Sequence, residues 1–302
     1  MSNIRSAHQN PTPVTVVGLG PMGLALAGTL RDHGHHTTVW NRTAERAASL
    51  RARGARLATG VAEAVSASPL TITCLKDYET AHRVLGPAAG ALPGRAVVNL
   101  NSGTPEEARA AAHWAAERGA AYLDGAIMVP PPLVGQPDAV FLYSGPRAVF
   151  DEHREAFATL GDPRYLGPDP GLAVLYNAAL LDLMYATVNG LLHATALARS
   201  AELPATEFVE LVRTWFMPTV IDAAFAEQAV NLGPGHYSGD VGTMEMNRTA
   251  LDHITRTCLE QGVDAAAPRF MTELAERAIA AGHGEDNYLA LFEVFRKAAP
   301  AA

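Results

Sequence analysis

The sequence contains little cysteine and no spacing typical of a metal site. Its two cysteines, Cys74 and Cys258, lie far apart and form no CxxC pair, and its eleven histidines include no HExxH pattern. We therefore expect neither a disulfide framework nor a bound metal. Cys74 lies in an apolar stretch typical of a strand, and we interpret it as a small core residue.

Charged residues are also scarce, and they do not favour positive charge. They make up 18% of the 302 residues, and the net charge is -8 at pH 7. Backbone binding to nucleic acid needs a clustered excess of lysine and arginine, so we expect no nucleic-acid partner. The N-terminus lacks the pattern of a signal peptide, and no stretch approaches the roughly eighteen uninterrupted apolar residues of a membrane span. We therefore expect a cytoplasmic protein that does not enter a membrane.

A glycine pattern near the N-terminus predicts a dinucleotide-binding turn. An apolar, β-branched run over 14–17 leads into Gly18-x-Gly20-x-x-Gly23, and residues 24–30 have a helical pattern. This strand, turn and helix form the context that the fingerprint requires. Gly18 allows the tight turn, Gly20 lets the backbone approach a pyrophosphate, and Gly23 lets the helix pack on the strand. The predicted cofactor-binding loop also includes Leu19, Pro21 and Met22.

The residues after the second predicted strand indicate which dinucleotide binds. An Asp or Glu there would accept hydrogen bonds from the ribose 2′-hydroxyl of NAD and would repel a 2′-phosphate. The chain instead has Asn41, Arg42 and Thr43. Arginine matches phosphate geometry, and asparagine and threonine donate hydrogen bonds without negative charge, so we expect NADPH. The simpler alternative makes Arg42 a solvated charge and Thr43 the N-cap of the next helix.

The order of predicted elements indicates an α/β protein with two domains. Strand patterns alternate with helical stretches, which implies a mostly parallel, doubly wound Rossmann sheet with strands at about 14–18, 36–40, 70–75, 96–100, 121–124 and 138–143. The strand pattern stops after a glycine- and proline-rich stretch, so we expect an NADP-binding domain over 1–167. Residues 168–302 form the predicted all-helical domain for dimerisation and substrate binding.

A long helix, at about 171–199, is expected to connect the two domains. It is apolar on all sides, and such a surface is typical of burial, here between subunits. Further helices are expected at about 205–230, 242–261 and 267–282.

Two loops after buried strands are expected to face the ligand. Parallel strands end at the same edge of a sheet, and ligands bind along that edge. The first loop contains Leu75 and Lys76. The second loop contains Asn101 and Ser102. We predict that these residues contact the nicotinamide, the ribose or the substrate, whereas Thr104 is interpreted as a helix cap.

Several longer motifs are collectively specific. They are GLGPMG, WNRT, YLDGAIM, FLYSG, LLHATAL and AAGHG, at residues 18–23, 40–43, 122–128, 141–145, 191–197 and 280–284. Together they resemble the imine reductase and reductive aminase family of the β-hydroxyacid dehydrogenase superfamily, over nearly the whole chain. The resemblance implies a domain-swapped homodimer. Its substrate cleft would lie between the Rossmann domain of one subunit and the helical domain of the other.

The long helix lacks a lysine that related enzymes use. Hydroxyacid dehydrogenases of this superfamily carry a lysine there as acid and base for a hydroxyl proton, but residues 172–179 contain Asn177 and no lysine. This absence disfavours alcohol oxidation by the usual route. Reduction of an iminium needs cofactor placement, a largely apolar pocket and a few polar anchors.

Asn177, Asp182 and Tyr185 are the candidate catalytic residues. At about 100° per residue they spread over about 140° of the helix, so one pocket could contact all three. The resemblance implies that Asn177 anchors the substrate nitrogen and that Tyr185 donates a proton or orients the substrate. Other family members use an aspartate on this helix, so Asp182 is an alternative donor. A tyrosine hydroxyl carries its proton at neutral pH, whereas an aspartate keeps one only when desolvated.

These assignments have structural alternatives. Tyr185 could fill a helix interface, and Asp182 could make a buried hydrogen bond there. Further candidates for the substrate pocket are Asn247, which matches a family pocket position, Trp215 and Met217 from an apolar cluster, and Met128 before a proline-rich loop. Core packing is the alternative for the apolar cluster.

The sequence therefore predicts an NADPH-dependent imine reductase. It would transfer hydride to the C=N bond of a cyclic imine or iminium and give a chiral amine, and reductive amination stays open. The small-molecule partner would be an imine or amine. A carbonyl reductase of the hydroxyacid dehydrogenase type and a non-catalytic NADPH-binding sensor are the alternatives.

Overall fold

A computed structural model describes residues 11–222, 225, 230–232 and 234–296. Its internal contacts divide the chain into two units, Met1–Leu183 and Met184–Ala302, which are described separately below. The division falls inside the long helix, whereas the sequence places the domain boundary at 167/168.

The first unit contains an eight-stranded sheet in the order β3-β2-β1-β4-β5-β6-β7-β8. Neighbouring strands are parallel except β6 and β7, which are antiparallel. The strands are β1 (Val14–Val17), β2 (Thr37–Trp40), β3 (Arg56–Leu57), β4 (Leu70–Thr73), β5 (Ala96–Asn99), β6 (Ala121–Ile127), β7 (Val140–Ser144) and β8 (Asp162–Gly167). The mostly parallel Rossmann-like sheet is therefore confirmed.

Two strands were not predicted from the sequence. β3 has only two residues, and β8 lies within the glycine- and proline-rich stretch after which the strand pattern was expected to stop. β8 was not predicted because this strand is at the edge of the sheet, where Pro163 is tolerated and apolar alternation is weak. By contrast, every residue of β1, β4 and β5 is buried, as is typical of strands covered on both faces.

Helices connect the strands of the first unit. They are α1 (Pro21–Asp32), α2 (Ala48–Ala52), α3 (Val61–Ser66), α4 (Tyr78–Leu85), α5 (Pro105–Ala116), α6 (Arg147–Glu152) and α7 (Arg154–Leu160). The core between sheet and helices includes stacked rings, with Tyr143 and Phe157 4.4 Å apart between centroids.

The long helix α8 (Gly171–Arg199) has 29 residues and is anchored at its start. The Ser144 hydroxyl donates to the Pro170 carbonyl at 2.8 Å and accepts from the Ala173 N–H at 2.9 Å. A bidentate ion pair between Arg109 and Asp169, at 2.9 and 2.7 Å, lies beside it.

Most of α8 is exposed in the single chain. Its described buried residues all lie in the first turn, and large apolar side chains such as Leu180, Val188 and Leu192 are 43%, 45% and 62% exposed. By length and hydropathy alone α8 could cross a membrane, and 17% of its most apolar window is buried. The described residues of the chain therefore do not bury this helix, as the sequence predicted for a helix between subunits.

The second unit is helical. It contains α9 (Ala205–Leu211), a π-helical segment (Val212–Asp222), α10 (Met244–Glu260), α11 (Ala266–Ala280) and α12 (Leu291–Arg296). The helices predicted at 242–261 and 267–282 are thus confirmed. The helical pattern predicted at 205–230 is confirmed as far as residue 222. Beyond Leu211 the helix is a π-helix and not an α-helix, and it contains Pro218, which has no N–H to donate. Residues 223–224 and 226–229 of that prediction lie outside the described part.

Candidate active site

The glycine turn between β1 and α1 has the geometry of a phosphate cradle. Gly18 has φ +101° and donates its N–H to the Trp40 carbonyl at 2.9 Å. A side chain at Gly18 would collide with the Cys74 carbonyl, and one at Gly23 would collide with the Gly18 carbonyl. At Gly20 an added Cβ would meet no described atom within 4 Å. Close packing thus requires glycine at 18 and 23, while open space lies at Gly20.

That open space faces the beginning of α1. Gly20 is the N-cap, Pro21 is at the first position, and the Leu24 N–H bonds to the Gly20 carbonyl at 2.9 Å. A helix N-terminus without a capping side chain presents free amides and positive potential, which suit a pyrophosphate.

Asn41 connects the glycine turn to the loop after β2. Its Oδ1 accepts from the Leu19 backbone N–H at 3.0 Å, and its Nδ2 donates to the Thr43 carbonyl at 2.9 Å. The sequence suggested that Asn41 donates to a phosphate. The structure gives it bonds within the protein that fix one loop against the other.

The loop after β2 lines a cavity of about 600 Å³. Arg42 is exposed in it and forms no ion pair with another described residue. Thr43 is at the N-cap position of a short 3₁₀ turn, but its hydroxyl makes no capping bond within the described chain. Arg51 of α2 lines the same cavity. Folding of α2 brings Arg51 to the same cavity as Arg42.

A second cavity, of about 260 Å³, lies at the carboxyl ends of the strands. It brings together five residues that the sequence placed in the site, Met22, Leu75, Asn101, Ser102 and Asn177. Lys76 is not among the residues that line it, since its side chain is 88% exposed and lies 3.7 Å from Asp77.

Asn101 holds the first loop of this cavity in place. Its Oδ1 accepts from the Leu75 N–H at 2.6 Å, and its Nδ2 donates to the Asp77 carbonyl at 3.3 Å. Asn101 is buried, and both ends of its amide are used. It therefore shapes the cavity by positioning Leu75.

A buried polar cluster lies beneath the same edge, and the sequence did not reveal it. Thr73, Asn99 and Asp124 are paired in register on β4, β5 and β6. Asp124 Oδ2 accepts from the hydroxyls of Tyr78 at 2.8 Å and Tyr122 at 2.7 Å. Burial raises the pKa of Asp124 to about 7, although the hydrogen bonds oppose that shift. The sequence does show a polar residue near the end of each of these strands. Their pairing in register, however, depends on the assembled sheet.

The three candidate catalytic residues on α8 do not share this cavity in the single chain. Asn177 is half-buried and lines it. Asp182 is exposed, Tyr185 is 61% exposed, and neither is among the lining residues. At 1.5 Å per residue, Tyr185 lies about 12 Å further along the helix axis than Asn177.

The other predicted pocket residues lie elsewhere. Trp215 and Met217 line an apolar cavity of about 780 Å³ in the second unit. Asn247, in the first turn of α10, donates its Nδ2 to the Thr243 carbonyl at 2.8 Å. Met128 packs on a small cluster with Ala126 and Leu142, outside the 260 Å³ cavity.

Two structural interpretations hold. Thr104 caps α5, since its hydroxyl accepts from the Glu107 N–H at 3.3 Å while the Glu107 carboxylate accepts from the Thr104 N–H at 2.7 Å. Cys74 packs against the core, and burial raises its pKa to about 11, which keeps the thiol protonated.

Comparisons with known proteins place both halves of the chain. Residues 13–167 match the family model of the NAD binding domain of 6-phosphogluconate dehydrogenase. Residues 169–297 match that of the NADPH-dependent reductive aminase-like C-terminal domain. An NADPH-dependent reductive aminase from Aspergillus oryzae is 36% identical over 94% of this chain and 97% of its own length.

Solved structures agree. An imine reductase from Bacillus cereus is 37% identical with a TM-score of 0.88, covering 95% of this chain and 99% of its own. One from Streptomyces aurantiacus is 40% identical with a TM-score of 0.88, covering 94% and 100%. These similarities extend over nearly the full length of the chain, and they agree with the glycine turn and with Asn177 in place of a lysine on α8. The chain belongs to the imine reductase and reductive aminase family.

Proposed function

We propose that this protein is an NADPH-dependent imine reductase that converts the C=N bond of a cyclic imine or iminium to a chiral amine, and that it also accepts a ketone with an amine. One observation carries the proposal. Asn177 lines the same cavity as Met22 of the glycine turn. It occupies the helix position where hydroxyacid dehydrogenases have lysine, and no lysine is among the described residues that line the cavity. Solved relatives include complexes with NADPH and ethyl levulinate, and with cyclohexanone and allyl amine.

The described residues fit NADPH. The open space at Gly20 admits a pyrophosphate at the start of α1, and Arg42 offers an unpaired guanidinium in the neighbouring cavity. The exposed hydroxyl of Thr43 lies next to it in the chain. When bound, NADPH supplies the hydride. Leu75, Asn101 and Ser102 would then border the nicotinamide end.

The chain's own residues have three tasks in this reaction. The Asn177 amide anchors the substrate nitrogen in the cavity. The Tyr185 hydroxyl holds the proton or orients the substrate, with the Asp182 carboxyl as the alternative. The proposed substrate pocket is completed by Asn247, Trp215, Met217 and Met128. Lys76, next to Leu75, is assigned to the cofactor.

Because Asp182 and Tyr185 are exposed in the single chain, the proposal includes a second copy. We infer a domain-swapped homodimer in which α8 packs against its partner and one copy completes the cleft of the other. The exposed apolar side chains of α8 support it. A membrane would bury Asp182 near the middle of the helix, at a cost of about 3 kcal/mol, which favours the protein partner.

The remaining parts of the proposal follow from this assembly. Residues 1–167 are the NADP-binding domain, and residues 168–302 are the helical domain for dimerisation and substrate binding. The protein works in the cytoplasm on small molecules.

The test is the loss of absorbance at 340 nm with purified protein, NADPH and 2-methylpyrroline. NADH and a 2-keto acid serve as parallel controls. Oxidation of NADPH by the imine, with slower use of NADH, is the expected result. Turnover with the keto acid alone would indicate a carbonyl reductase, and tight NADPH binding without any turnover would indicate a sensor. Sedimentation as a stable monomer would contradict the shared cleft.

A further inference from the structure

Tyr78 lies at the junction of three elements that border the 260 Å³ cavity. It is the first residue of α4 and directly follows the loop of residues 75–77. It is 7% exposed, and its hydroxyl donates to Asp124 Oδ2 at 2.8 Å. Asp124 precedes Gly125, which lines the cavity on β6. The Tyr78 side chain therefore connects the first loop to the strand at the cavity floor.

The ring of Tyr78 also contacts the second loop. A Cβ atom added at Gly103 would collide with two carbons of this ring. Gly103 follows Asn101 and Ser102, which line the cavity. The Tyr78 ring and the Glu107 carboxylate thus occupy the space of a side chain at position 103.

The acceptor of the Tyr78 hydroxyl is held firmly. Asp124 is fully buried, and its Oδ2 also accepts from Tyr122 at 2.7 Å and from Asn99 Nδ2 at 3.3 Å. Asn99 Oδ1 in turn accepts from the Thr73 hydroxyl at 2.9 Å. Such a buried network has few alternative arrangements, because each polar group would lose a partner.

We propose that Tyr78 is a positioning residue for the reaction: by bonding to Asp124 and packing on Gly103, it sets the spacing of the two loops that border the nicotinamide and the substrate. The proposal rests on the function proposed for this cavity. Tyr78 contacts neither ligand itself.

Tyr122 provides a matched control. It donates to the same carboxylate oxygen from a similarly buried hydroxyl, and it is 6% exposed. It lies within β6, away from both loops in sequence. Tyr122→Phe and Tyr78→Phe therefore remove the same kind of hydrogen bond, but only Tyr78→Phe frees the loops.

The experiment compares the two variants by hydrogen exchange and by steady-state kinetics. In Tyr78→Phe, peptides covering residues 74–78 and 100–104 should exchange up to about tenfold faster, as loss of one hydrogen bond allows. The ratio kcat/KM for the imine should fall by a similar factor. In Tyr122→Phe, Tm should fall while both loop exchange and kcat/KM stay at the wild-type values.

Equal loop exchange and equal kinetics in the two variants would overturn the proposal and leave Tyr78 a purely structural residue. Hydrogen exchange is measured without cofactor, so it tests the positioning role of Tyr78 independently of activity. If the wild type failed to reduce imines, that result would count against the proposed function alone. Should Tyr78→Phe fold poorly, Gly103→Ala displaces the ring from the opposite side. Because a side chain at 103 also meets the Glu107 carboxylate of the α5 cap, the readout in that variant is the peptide covering residues 74–78. This peptide should exchange faster, and wild-type exchange there would also overturn the proposal.

Discussion

Asn41 accepts a hydrogen bond from the Leu19 backbone N–H at 3.0 Å. The residue that follows the second strand thereby holds the glycine turn, 22 residues earlier in the chain. Because the same side chain donates to the Thr43 carbonyl, the pyrophosphate loop and the loop with Arg42 keep a fixed spacing. In the proposed cofactor site, we therefore expect Asn41 to link cofactor affinity with cofactor choice.

Substitution of Asn41 should separate these two effects. Asn41→Ala removes both bonds, so we expect the Kd values of NADPH and NADH to rise together, by up to about tenfold. Asn41→Asp keeps the acceptor for Leu19 but adds negative charge, so NADPH should lose more affinity than NADH. Fluorescence titration with both cofactors measures this. A selective loss in Asn41→Ala would contradict the bracing role.

Arg42 should determine the preference for NADPH. Arg42→Gln removes a charge-assisted contact, so the KM of NADPH should rise about ten- to a hundredfold while that of NADH changes little. Arg51→Ala should have a smaller effect of the same sign, since Arg51 lines the same cavity.

A suitable control is Arg56→Ala, because Arg56 already pairs with Glu63 at 2.6 Å and does not line that cavity. Its cofactor preference should match the wild type. If Arg42→Gln behaved like this control, the assignment of the 2′-phosphate site would be wrong.

The proton donor can be identified on α8. If Tyr185 donates, Tyr185→Phe should lower kcat by about a hundredfold or more, as expected for loss of general acid catalysis, and Asp182→Asn should lower it less. The reverse order would make Asp182 the donor. Single-turnover rates at saturating imine measure the effect, and unchanged rates in both variants would rule out both residues.

The anchor at the start of α8 should contribute to stability. Ser144→Ala leaves the buried Ala173 N–H and the Pro170 carbonyl without their partner, so the free energy of unfolding should fall by about 1–3 kcal/mol. Urea unfolding measures it. Ser66→Ala, at an exposed helix position, should stay within about 0.5 kcal/mol of the wild type. Equal stability of the two variants would show that the anchor is not needed.

Asp124 should make stability depend on pH. Burial raises its pKa from 3.8 to about 7, so between these values the folded protein keeps a proton that the unfolded chain releases. The free energy of unfolding should therefore decrease as pH rises through this window and stop decreasing above it. Asp124→Asn should remove that decrease.

Urea unfolding at pH 5 and pH 8 in both proteins checks the difference. Glu63, whose pKa is lowered from 4.5 to about 2, changes stability below pH 5 and so does not contribute between the two measured pH values. His153, whose pKa is lowered by burial, is common to both proteins. Parallel pH dependence of the two proteins would show that Asp124 does not titrate there.

The sequence by itself determined the structural features that depend only on residues close together in the chain. The glycine turn, the Thr104 cap, the buried strands and the apolar helix α8 all follow from short patterns, because local geometry and burial impose a period on the residues. The same patterns identified Met22, Leu75, Asn101 and Ser102, and the resemblance to the family identified Asn177. The fold brings all five residues around one cavity.

Only the tertiary structure decided which side chains support the site. Asn41 and Asn101 form hydrogen bonds that hold loops of the protein in place. Tyr78 bonds to Asp124 and packs on Gly103, and the spacing of these residues in the sequence does not predict either contact. The sequence also did not predict the edge strand β8, because an exposed strand needs no apolar alternation. The physical reason is common to all of them: hydrogen bonds and packing between residues far apart in the chain depend on strand order and register, and these exist only once the sheet has formed.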